Sequence, residues 1–312
     1  MGKGSVLISV IMSTFREPAD YLRLAIESVL NQTFSNFEFL IAIDDPDNCE
    51  HVRIMQEYVK KDPRIIWYVN KENLGLPKSL NELISRSKGK YIARMDADDI
   101  SLPERFEKQV QYLESNKKVG ILGAQVYKMN EDGEIYGSVR LPSSEKCIKI
   151  YIENGVMPIC HPSWLVRKEV YKILKGYRNV PYLEDFDFVL RAFKNGVVIA
   201  NLSEPLLKYR IHSHKYKISS SKAYAQYIST KLCHKQFKKG EFSDIAGKSH
   251  SKFGEKLYNL ANYFFTKSMD YRSQHKLMPT LFFFLLSFIS PARAEFNLRI
   301  MKAKFNCYLA GK

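Results

Sequence analysis

Residues 89–103 read GKYIARMDADDISLP, a short apolar run that ends in three carboxylates within four residues. Tyr91 to Met95 is typical of a buried strand. Residues 101–104, SLPE, predict a capping box with proline in the first turn of the next helix. The three carboxylates are therefore expected at the C-terminal end of a strand.

These carboxylates predict a cation site. Because side chains alternate in an extended segment, Asp96 and Asp98 should point to one side, about 7 Å apart, and Asp99 elsewhere. Clustered carboxylates raise one another's pKa and repel unless a positive charge neutralises them. Oxygen ligands favour Mg²⁺ or Mn²⁺ over zinc. A polar loop that caps a helix would contain the same residue types, so both interpretations are open at this point.

Length and composition indicate a globular chain. With 312 residues, 45% of them apolar, it can form one large domain and an appendage. The five cysteines are scattered and show no C-x-x-C spacing, so we expect neither a disulfide framework nor a zinc site, and a reducing cytosol fits. We find no signal-peptide pattern and no apolar stretch of 18 residues, so we expect no membrane span.

The positive charge is concentrated in the last third of the chain. Residues 208–312 contain 20 Lys/Arg and 5 Asp/Glu, whereas residues 1–207 contain 28 of each. We therefore predict a neutral catalytic domain over 1–207 and a basic, mainly helical region over 208–312. A strongly basic region favours an anionic partner such as membrane lipid or nucleic acid.

The first region alternates strand and helix patterns. Strands are predicted at residues 6–12, 37–43, 65–69 and 91–95, with helical periodicity between them. This alternation predicts a parallel sheet covered by helices on both faces. Ligands of such sheets bind beyond the carboxyl ends of the strands, where residues 13–15, 44–45 and 96–98 supply polar groups.

Four segments resemble the nucleotide-sugar-binding half of the family 2 glycosyltransferases of GT-A type. They are ISVIMSTF (8–15), LNQTFSNFEFLIAIDD (30–45), NLGLPKSLN (73–81) and GKYIARMDADDISLPERF (89–106). Their order and spacing both match, which is far more specific than an Asp-x-Asp alone. The resemblance implies a Rossmann-like, mainly parallel α/β sheet flanked by helices.

The resemblance also implies roles for individual residues. The bound nucleotide, usually uridine, would be held at base and ribose by Ser13, Thr14 and Asp45. Asp96 and Asp98 would hold the metal and the ribose. The sequence departs from many relatives at residues 44–48, where DDPDN replaces a glycine-serine turn.

Asn73 and Lys78 lie in a loop that commonly borders the nucleotide in this family. Ordinary turn chemistry explains the same loop equally well.

Residues 119–204 are expected to form the acceptor half. Within them, residues 157–167 (MPICHPSWLVR) predict a strand or loop across the site. His161 and Trp164 could contact a sugar ring there. A tryptophan in this setting is more often part of the core, because large aromatics dominate core burial.

Glu184 and Asp185 open a predicted amphipathic helix. Acids at a helix start can simply be favourable charges near its N-terminus. The resemblance implies instead that they are the family's acidic pair, with Asp185 as the general base and Glu184 in support. Residues 209–212 (YRIH) resemble a Tyr-Arg-x-His element, whose Arg210 and His212 could close over the diphosphate.

Together these features predict an inverting, metal-dependent transfer of a sugar from a nucleoside diphosphate, with UDP expected, to a saccharide or lipid-linked acceptor. Capsule or O-antigen synthesis is the expected setting. A sugar-phosphate nucleotidyltransferase would need a glycine-rich, basic loop after the first strand, which residues 13–18 (STFREP) do not offer. A basic nucleic-acid-binding protein would explain only the last third, so we expect no nucleic acid partner.

Sixteen uncharged residues, LMPTLFFFLLSFISPA, lie between Lys276 and Arg293. As a helix this run is about 24 Å long, short of the roughly 30 Å hydrocarbon core of a bilayer. We therefore predict that it lies in the interface of an anionic membrane, on the inner face of the cell membrane. In the alternative, Leu281, Leu285 and Phe288 pack as core.

Overall fold

The computed structural model describes residues 6–212, 222–243, 245, 252–273 and 276–311. Backbone contacts group the chain into two compact units. The first unit comprises Met1–Glu145, Ile159–Asn179 and Arg191–Arg210, and the second comprises Lys146–Pro158, Val180–Leu190 and Ile211–Lys312. Two middle segments thus group with the C-terminal region. The two continuous domains, 1–207 and 208–312, remain a prediction.

The first unit is built on a mixed sheet. Its strands are β1 Ile8–Thr14, β2 Phe37–Ile43, β3 Ile65–Val69, β4 Tyr91–Asp96, β5 Ile100–Ser101, β6 Val119–Met129, β7 Ile135–Val139, β8 Leu165–Arg167 and β9 Val198–Arg210. They follow the order β3-β2-β1-β4-β8-β6-β9-β5, and β7 pairs with β6. Strands β1 to β4 pair in parallel, as do β6 and β9. The predicted α/β sheet is confirmed.

Helices follow the strands of this sheet along the chain. They are α1 Ala19–Leu30, α2 Cys49–Lys61, α3 Leu76–Arg86, α4 Arg105–Ser115 and α6 Lys168–Leu174. Strand β2 is buried along its whole length, and its residues are apolar except for Glu38, which accepts a hydrogen bond from Ser9. Helix α1 buries one face in the same core. The residues of that face recur at helical spacing: Leu22, Ala25, Ile26 and Val29. The apolar periodicity of the sequence thus matches the buried strand and the buried face of the helix.

The second unit is helical, as its basic sequence led us to expect. Its helices are α5 Glu145–Glu153, the start of α7 Glu184–Lys194, α8 Ala223–Lys239, α9 Lys252–Ser273, α10 Leu277–Leu286 and α11 Pro291–Ala310. Tyr227 of α8 and Tyr258 of α9 form its aromatic centre, with ring centroids 5.3 Å apart. Ser290 caps α11, and Pro291 occupies the first helical position, which needs no backbone N–H.

A disulfide joins Cys147 of α5 to Cys307 of α11, with a Cα–Cα distance of 5.0 Å. The prediction that the cysteines form no disulfide is therefore wrong. Its basis was the absence of regular spacing, but these two cysteines are 160 residues apart and only the folded chain brings them together.

The predicted capping box at residues 101–104 is also wrong. Helix α4 begins at Arg105 with Glu104 as its N-cap, and no side chain caps it. Ser101 lies in β5 instead, paired with Leu207 of β9, and its hydroxyl accepts a hydrogen bond from Gln32. Because Ser101 pairs with β9 in the sheet, it does not cap α4.

Helix α10 carries the uncharged segment. Leu281, Phe282 and Leu285 are 51%, 59% and 61% exposed, and no residue of α10 is fully buried. The alternative in which Leu281 and Leu285 pack as core is therefore wrong, although Phe288 is half-buried and contacts Phe284 edge to face at 5.3 Å. Among the described residues, no helix combines the length and the apolar character needed to cross a bilayer.

Candidate metal and nucleotide site

The polar residues that follow β1, β2 and β4 lie at one edge of the sheet. Strands β1, β2 and β4 run in parallel, and Ser13 is in register with Ala42 of β2 and with Asp96 of β4. All three strands therefore end together. Polar side chains that follow them meet at the carboxyl edge, as the sequence predicted.

Three carboxylates converge after β4. Asp96 is the last residue of the strand, and Asp98 and Asp99 lie in the following turn. Each offers one oxygen, and these atoms all lie within 4.8 Å of one another, so that they could hold a metal ion. The prediction that Asp99 faces away is wrong, because the extended chain ends at Asp96 and the strand alternation ends with it.

The electrostatics of this acidic turn favour a bound cation. Burial raises the pKa of Asp96 to about 6, since the ion pair with Arg94 lowers it less and Asp98 raises it further. Burial, and then Asp98 and Asp96, raise the pKa of Asp99 well above its usual value. Oδ2 of Asp99 is buried without a hydrogen-bond partner. A divalent cation would neutralise the excess negative charge and give that oxygen a partner.

Arg210 holds this turn in place. Its backbone N–H donates to Oδ1 of Asp99 and its Nε donates to the carbonyl of Asp98, both at 2.8 Å. Its Nη1 donates to the carbonyls of Asn130 and Glu131 at 3.1 and 2.8 Å. Only Nη2, which is buried, lacks a hydrogen-bond partner. A contact from Arg210 to a diphosphate remains a prediction.

Asp44 organises the loop that was expected to border the nucleotide. Its Oδ1 accepts hydrogen bonds from the Asn70 amide at 2.7 Å and from the Leu74 backbone at 2.9 Å, and its Oδ2 accepts one from Gly75 at 2.9 Å. The Asn73 side chain donates to the Asp44 carbonyl at 3.2 Å. Gly75 has φ +78°, a conformation that glycine adopts without strain.

Two of the residues predicted to contact the nucleotide, Thr14 and Asp45, form hydrogen bonds within the protein. The Thr14 hydroxyl donates to Glu17 at 2.6 Å and lies 3.1 Å from Nδ1 of His51. Oδ2 of Asp45 accepts a hydrogen bond from Arg16 at 2.8 Å, and this bond holds the pKa of Asp45 below its usual value. The Asp45 carboxylate is therefore ionised and aligned. Arg16 is 71% exposed at its side chain, so a ligand could displace it.

The other residues predicted to contact the nucleotide are partly or fully exposed. Ser13 is half-buried, and Asn73 and Lys78 are exposed. Lys78 lies in the first turn of α3. The exposed ammonium group of Lys78 could therefore contact a phosphate while it stays hydrated.

His161 and Trp164 belong to the core of the first unit. Trp164 is completely buried, and the His161 ring meets it edge to face with centroids 4.5 Å apart. Nε2 of His161 lies 2.8 Å from the Tyr177 hydroxyl. Burial lowers the pKa of His161 well below its usual value, so the ring is neutral. The idea that these two residues contact a sugar ring is therefore wrong.

The acidic pair belongs to the second unit. Glu184 and Asp185 are the first two residues of α7, and Oδ1 of Asp185 accepts a hydrogen bond from the Phe186 backbone at 2.6 Å. Asp185 lines a cavity of about 390 Å³ formed within this unit. His212, the last described residue before the gap at 213–221, is half-buried.

The sequence profile described as "Glycosyl transferase family 2" matches residues 9–174, which include the sheet edge and the acidic turn. The chain belongs to glycosyl transferase family 2. The glycosyltransferase is 39% identical over 225 residues to an uncharacterized glycosyltransferase, MJ1057, of Methanocaldococcus jannaschii, a match that covers 71% of this chain and 77% of the relative. It is 36% identical over 228 residues to the O-antigen biosynthesis glycosyltransferase WbnJ of Escherichia coli, covering 72% and 87%.

Solved structures with the same fold include that of TarS from S. aureus in complex with UDP-GlcNAc, with a TM-score of 0.57 and 16% identity. The match covers 96% of the glycosyltransferase and 91% of that chain. A second is the mannosyltransferase PcManGT of Pyrobaculum calidifontis in complex with GDP-Man and Mn²⁺, with a TM-score of 0.56 and 13% identity, covering 93% and 86%. The fold of the glycosyltransferase is the predicted GT-A fold.

The sequence did not single out the role of two residues in this glycosyltransferase. The sequence predicts Asp44 only as an acidic residue at a strand end and assigns the nucleotide contact to its neighbour Asp45. It predicts that Asp99 lies outside the cation site. Both carboxylates are buried, but only Asp44 directly follows an apolar strand, a position that could have identified it, whereas Asp99 lies three residues after the end of β4.

Proposed function

We propose that this glycosyltransferase is an inverting, metal-dependent enzyme that moves a sugar from a nucleoside diphosphate, with UDP as the expected nucleotide, to a saccharide or lipid-linked saccharide. The convergence of three carboxylates within 4.8 Å at the end of β4 is the observation that carries this proposal. The nucleotidyltransferase and nucleic-acid-binding alternatives have no comparable support.

Asp96 and Asp98 would hold a Mn²⁺ or Mg²⁺ ion, and the free oxygen of Asp99 fits the same cation. When bound, the ion neutralises charge that develops on the departing diphosphate. The Mn²⁺ complex of the structural neighbour PcManGT supports this proposal. Arg210 fixes the turn that presents the carboxylates, and His212 would approach the diphosphate.

Ser13, Thr14 and Asp45 would contact the base and ribose, with Asn73 and Lys78 beside them. Thr14 would do so once its hydroxyl leaves Glu17, because its carbonyl already accepts a hydrogen bond from the Asp44 backbone. The UDP-GlcNAc in the TarS structure supports a uridine nucleotide, whereas the GDP-Man in the PcManGT structure shows that another base fits this fold. A comparison of UDP with GDP is therefore part of the test below.

Asp185 would act as the general base. It would take the proton of the acceptor hydroxyl while the oxygen attacks the anomeric carbon from the face opposite the diphosphate. The bond between the anomeric carbon and the diphosphate oxygen breaks in the same step, so the configuration inverts and no covalent intermediate forms. Glu184 would support Asp185 from the adjacent position in the first turn of α7, where the helix N-terminus favours negative charge.

Surface-polysaccharide synthesis, capsule or O-antigen, is the proposed setting, and the O-antigen enzyme WbnJ supports it. We further propose that the enzyme acts peripherally on the inner face of the cell membrane. The exposed Leu281, Phe282 and Leu285 of α10 would enter the interface of an anionic bilayer. Arg293 does not take part in this contact, because it is buried.

The test is calorimetric titration of the enzyme with UDP, and in parallel with GDP, in the presence of Mn²⁺ and then of a chelator. We expect Asp98→Asn to lose metal-dependent nucleotide binding and nearly all transfer, with Asp96→Asn less severely affected, because each removes a negative ligand. Asp132→Asn, in the exposed turn before β7, is the matched control. Full activity of Asp98→Asn in chelator would refute the metal site.

A further inference from the structure

The cavity in the second unit is assembled from residues of α8, α9, α11 and the start of α7. Its volume of about 390 Å³ lies in the range of small-ligand sites. Phe265, Phe296 and Tyr258 line it with aromatic rings, while Gln226 and Asn262 contribute amides. It is thus an aromatic pocket with a small number of polar groups, which is the usual composition of a ligand site.

Arg293 is the buried cation of this pocket. It lies in the first turn of α11 and is only 5% exposed. Its guanidinium carbon lies 4.2 Å from the centroid of the Phe265 ring and 5.0 Å from that of Phe296. Its Nη1 makes one long hydrogen bond, 3.4 Å, to the Tyr258 hydroxyl, and its Nε has no hydrogen-bond partner.

No described carboxylate forms an ion pair with Arg293. Glu295, two residues further along α11, is fully engaged elsewhere. It accepts hydrogen bonds from Tyr227 at 2.6 Å, from Lys231 at 3.0 Å and from Arg299. Glu295 is therefore bonded to Tyr227, Lys231 and Arg299 and forms no ion pair with Arg293.

A buried guanidinium without an anion is costly. Cation–π contacts with three rings stabilise it, but they leave the N–H donor of Nε without an acceptor. Burial also lowers the pKa of Arg293, which shows how little the surroundings compensate for the charge. The N-terminus of α11 adds positive potential at the same place. An anion with oxygen acceptors would neutralise the guanidinium, accept a hydrogen bond from its free N–H and interact favourably with the helix N-terminus.

We propose that this pocket binds a phosphate or diphosphate group of the acceptor, with its oxygens on Arg293 and the Tyr258 hydroxyl. A guanidinium presents parallel N–H donors that match two phosphate oxygens. The proposal rests on the proposed function, because Asp185 lines the same pocket and would there meet the acceptor hydroxyl. The phosphate can belong to a lipid carrier or to a soluble phosphorylated saccharide.

Binding of simple probes to the full-length enzyme tests the pocket without any need for transfer. Phenyl phosphate and the neutral phenyl β-glucoside are titrated with UDP and Mn²⁺ saturating, so that the first unit is occupied. Arg293→Gln should weaken phenyl phosphate at least tenfold and leave the glucoside nearly unchanged. Arg272→Gln, an exposed arginine at the end of α9, is the control.

Gln226→Glu and Asn262→Asp provide a second test that does not remove the buried arginine. Each adds a carboxylate to the lining at almost unchanged size, so each should weaken phenyl phosphate by repulsion. Unchanged phosphate affinity in folded Arg293→Gln overturns the proposal. If Arg293→Gln fails to fold, unchanged affinity in both amide variants overturns it.

Two further comparisons separate the possible outcomes. Farnesyl phosphate in micelles that binds much more tightly than phenyl phosphate supports a lipid carrier, and equal affinities support a soluble phosphorylated acceptor. Phosphate binding that Asp98→Asn abolishes and Arg293→Gln preserves would assign the anion to the first unit and overturn the proposal. Phosphate binding that depends on Arg293, without transfer to any saccharide, would count against the proposed function alone.

Discussion

Asp185 is the residue whose chemistry is most directly testable. Its replacement by asparagine keeps the size of the side chain but removes the proton acceptor. We expect Asp185→Asn to bind the donor normally and to lose about 10²- to 10⁴-fold in turnover, the usual contribution of a positioned base. Calorimetry with UDP and initial rates of transfer measure the two quantities.

Glu184→Gln is the matched control for this prediction, because it changes the adjacent acid and should cost much less turnover. Donor affinity that collapses in Asp185→Asn while turnover survives would make Asp185 a donor ligand or a structural residue. NMR of the product, read for its anomeric configuration, tests inversion independently.

Asp44 should matter more for stability than for chemistry. Asp44→Ala leaves the Asn70 amide and the backbone N–H groups of Leu74 and Gly75 without their acceptor. We expect the free energy of unfolding to fall by about 2–4 kcal/mol, measured by urea denaturation. Asp45→Ala removes a partner of the exposed Arg16 and should cost less than about 1 kcal/mol. Equal losses would show that Asp44 does not hold the loop.

At the scale of single residues, the sequence predicted the acidic turn but not its geometry. Asp96 and Asp98 could be identified because strand patterns locate the end of β4. The position of Asp99 depends on a turn whose dihedral angles the residue types do not determine. Trp164 could be assigned to core or site only once its neighbours were known, because an aromatic ring suits both.

Helix α11 offers a test at the scale of one element. Burial raises the pKa of Glu295, but the hydrogen bonds from Tyr227, Lys231 and Arg299 outweigh it and bring the pKa to about 2, from 4.5 in the unfolded chain. A carboxyl whose pKa is lower in the folded state stabilises the fold above its unfolded pKa. That contribution is lost as the pH falls from about 4.5 towards 2.

Glu295→Gln should therefore lower the free energy of unfolding by about 1 kcal/mol at pH 7, a value reduced for the partial exposure of the group. The difference from the unchanged protein should shrink as the pH falls below 4.5. Glu241→Gln, at an exposed acid, should show no such trend in the same melts. A constant difference between pH 7 and pH 3 would contradict the shifted pKa.

Elements with strong periodicity were predicted well, and those that depend on distant partners were not. Strand β2 and helix α1 have apolar patterns that match their burial. Strand β5 has two residues and exists only because β9, about a hundred residues later, pairs with it. No local pattern can predict such a strand, which is why the capping box seemed the natural assignment for Ser101.

The exposed face of α10 predicts how the whole molecule meets a membrane. Replacement of Leu281, Phe282 and Leu285 by serine removes three exposed apolar side chains of that helix. We expect flotation with anionic vesicles to be lost in this variant and to weaken with salt in the unchanged protein, because apolar insertion and charge attraction act together. Ile173→Ser, at an exposed isoleucine of the first unit, is the control. Flotation that ignores salt and these changes would exclude α10 as the contact.

For the whole molecule, the charge balance of the sequence predicts a neutral region over 1–207 and a basic one over 208–312, and this division into two continuous domains remains a prediction. Composition could not reveal that the second unit recruits 146–158 and 180–190. Nor could it pair Cys147 with Cys307 or bury Arg293 among aromatic rings. These features arise from contacts between distant segments, which leave no periodic trace in the sequence.

The second unit consists of three separate stretches of the chain, so the ribosome synthesises its parts at different times. All strands of the described sheet have been synthesised by Arg210, so the first unit can fold while the chain is still growing. The segments 146–158 and 180–190 emerge by then, yet the helices that they group with follow only after residue 222. A nascent or truncated chain would thus present the formed carboxyl edge of the sheet while the surroundings of Asp185 are incomplete. The surroundings of Asp185 are thus completed only after the helices that follow residue 222 have been synthesised.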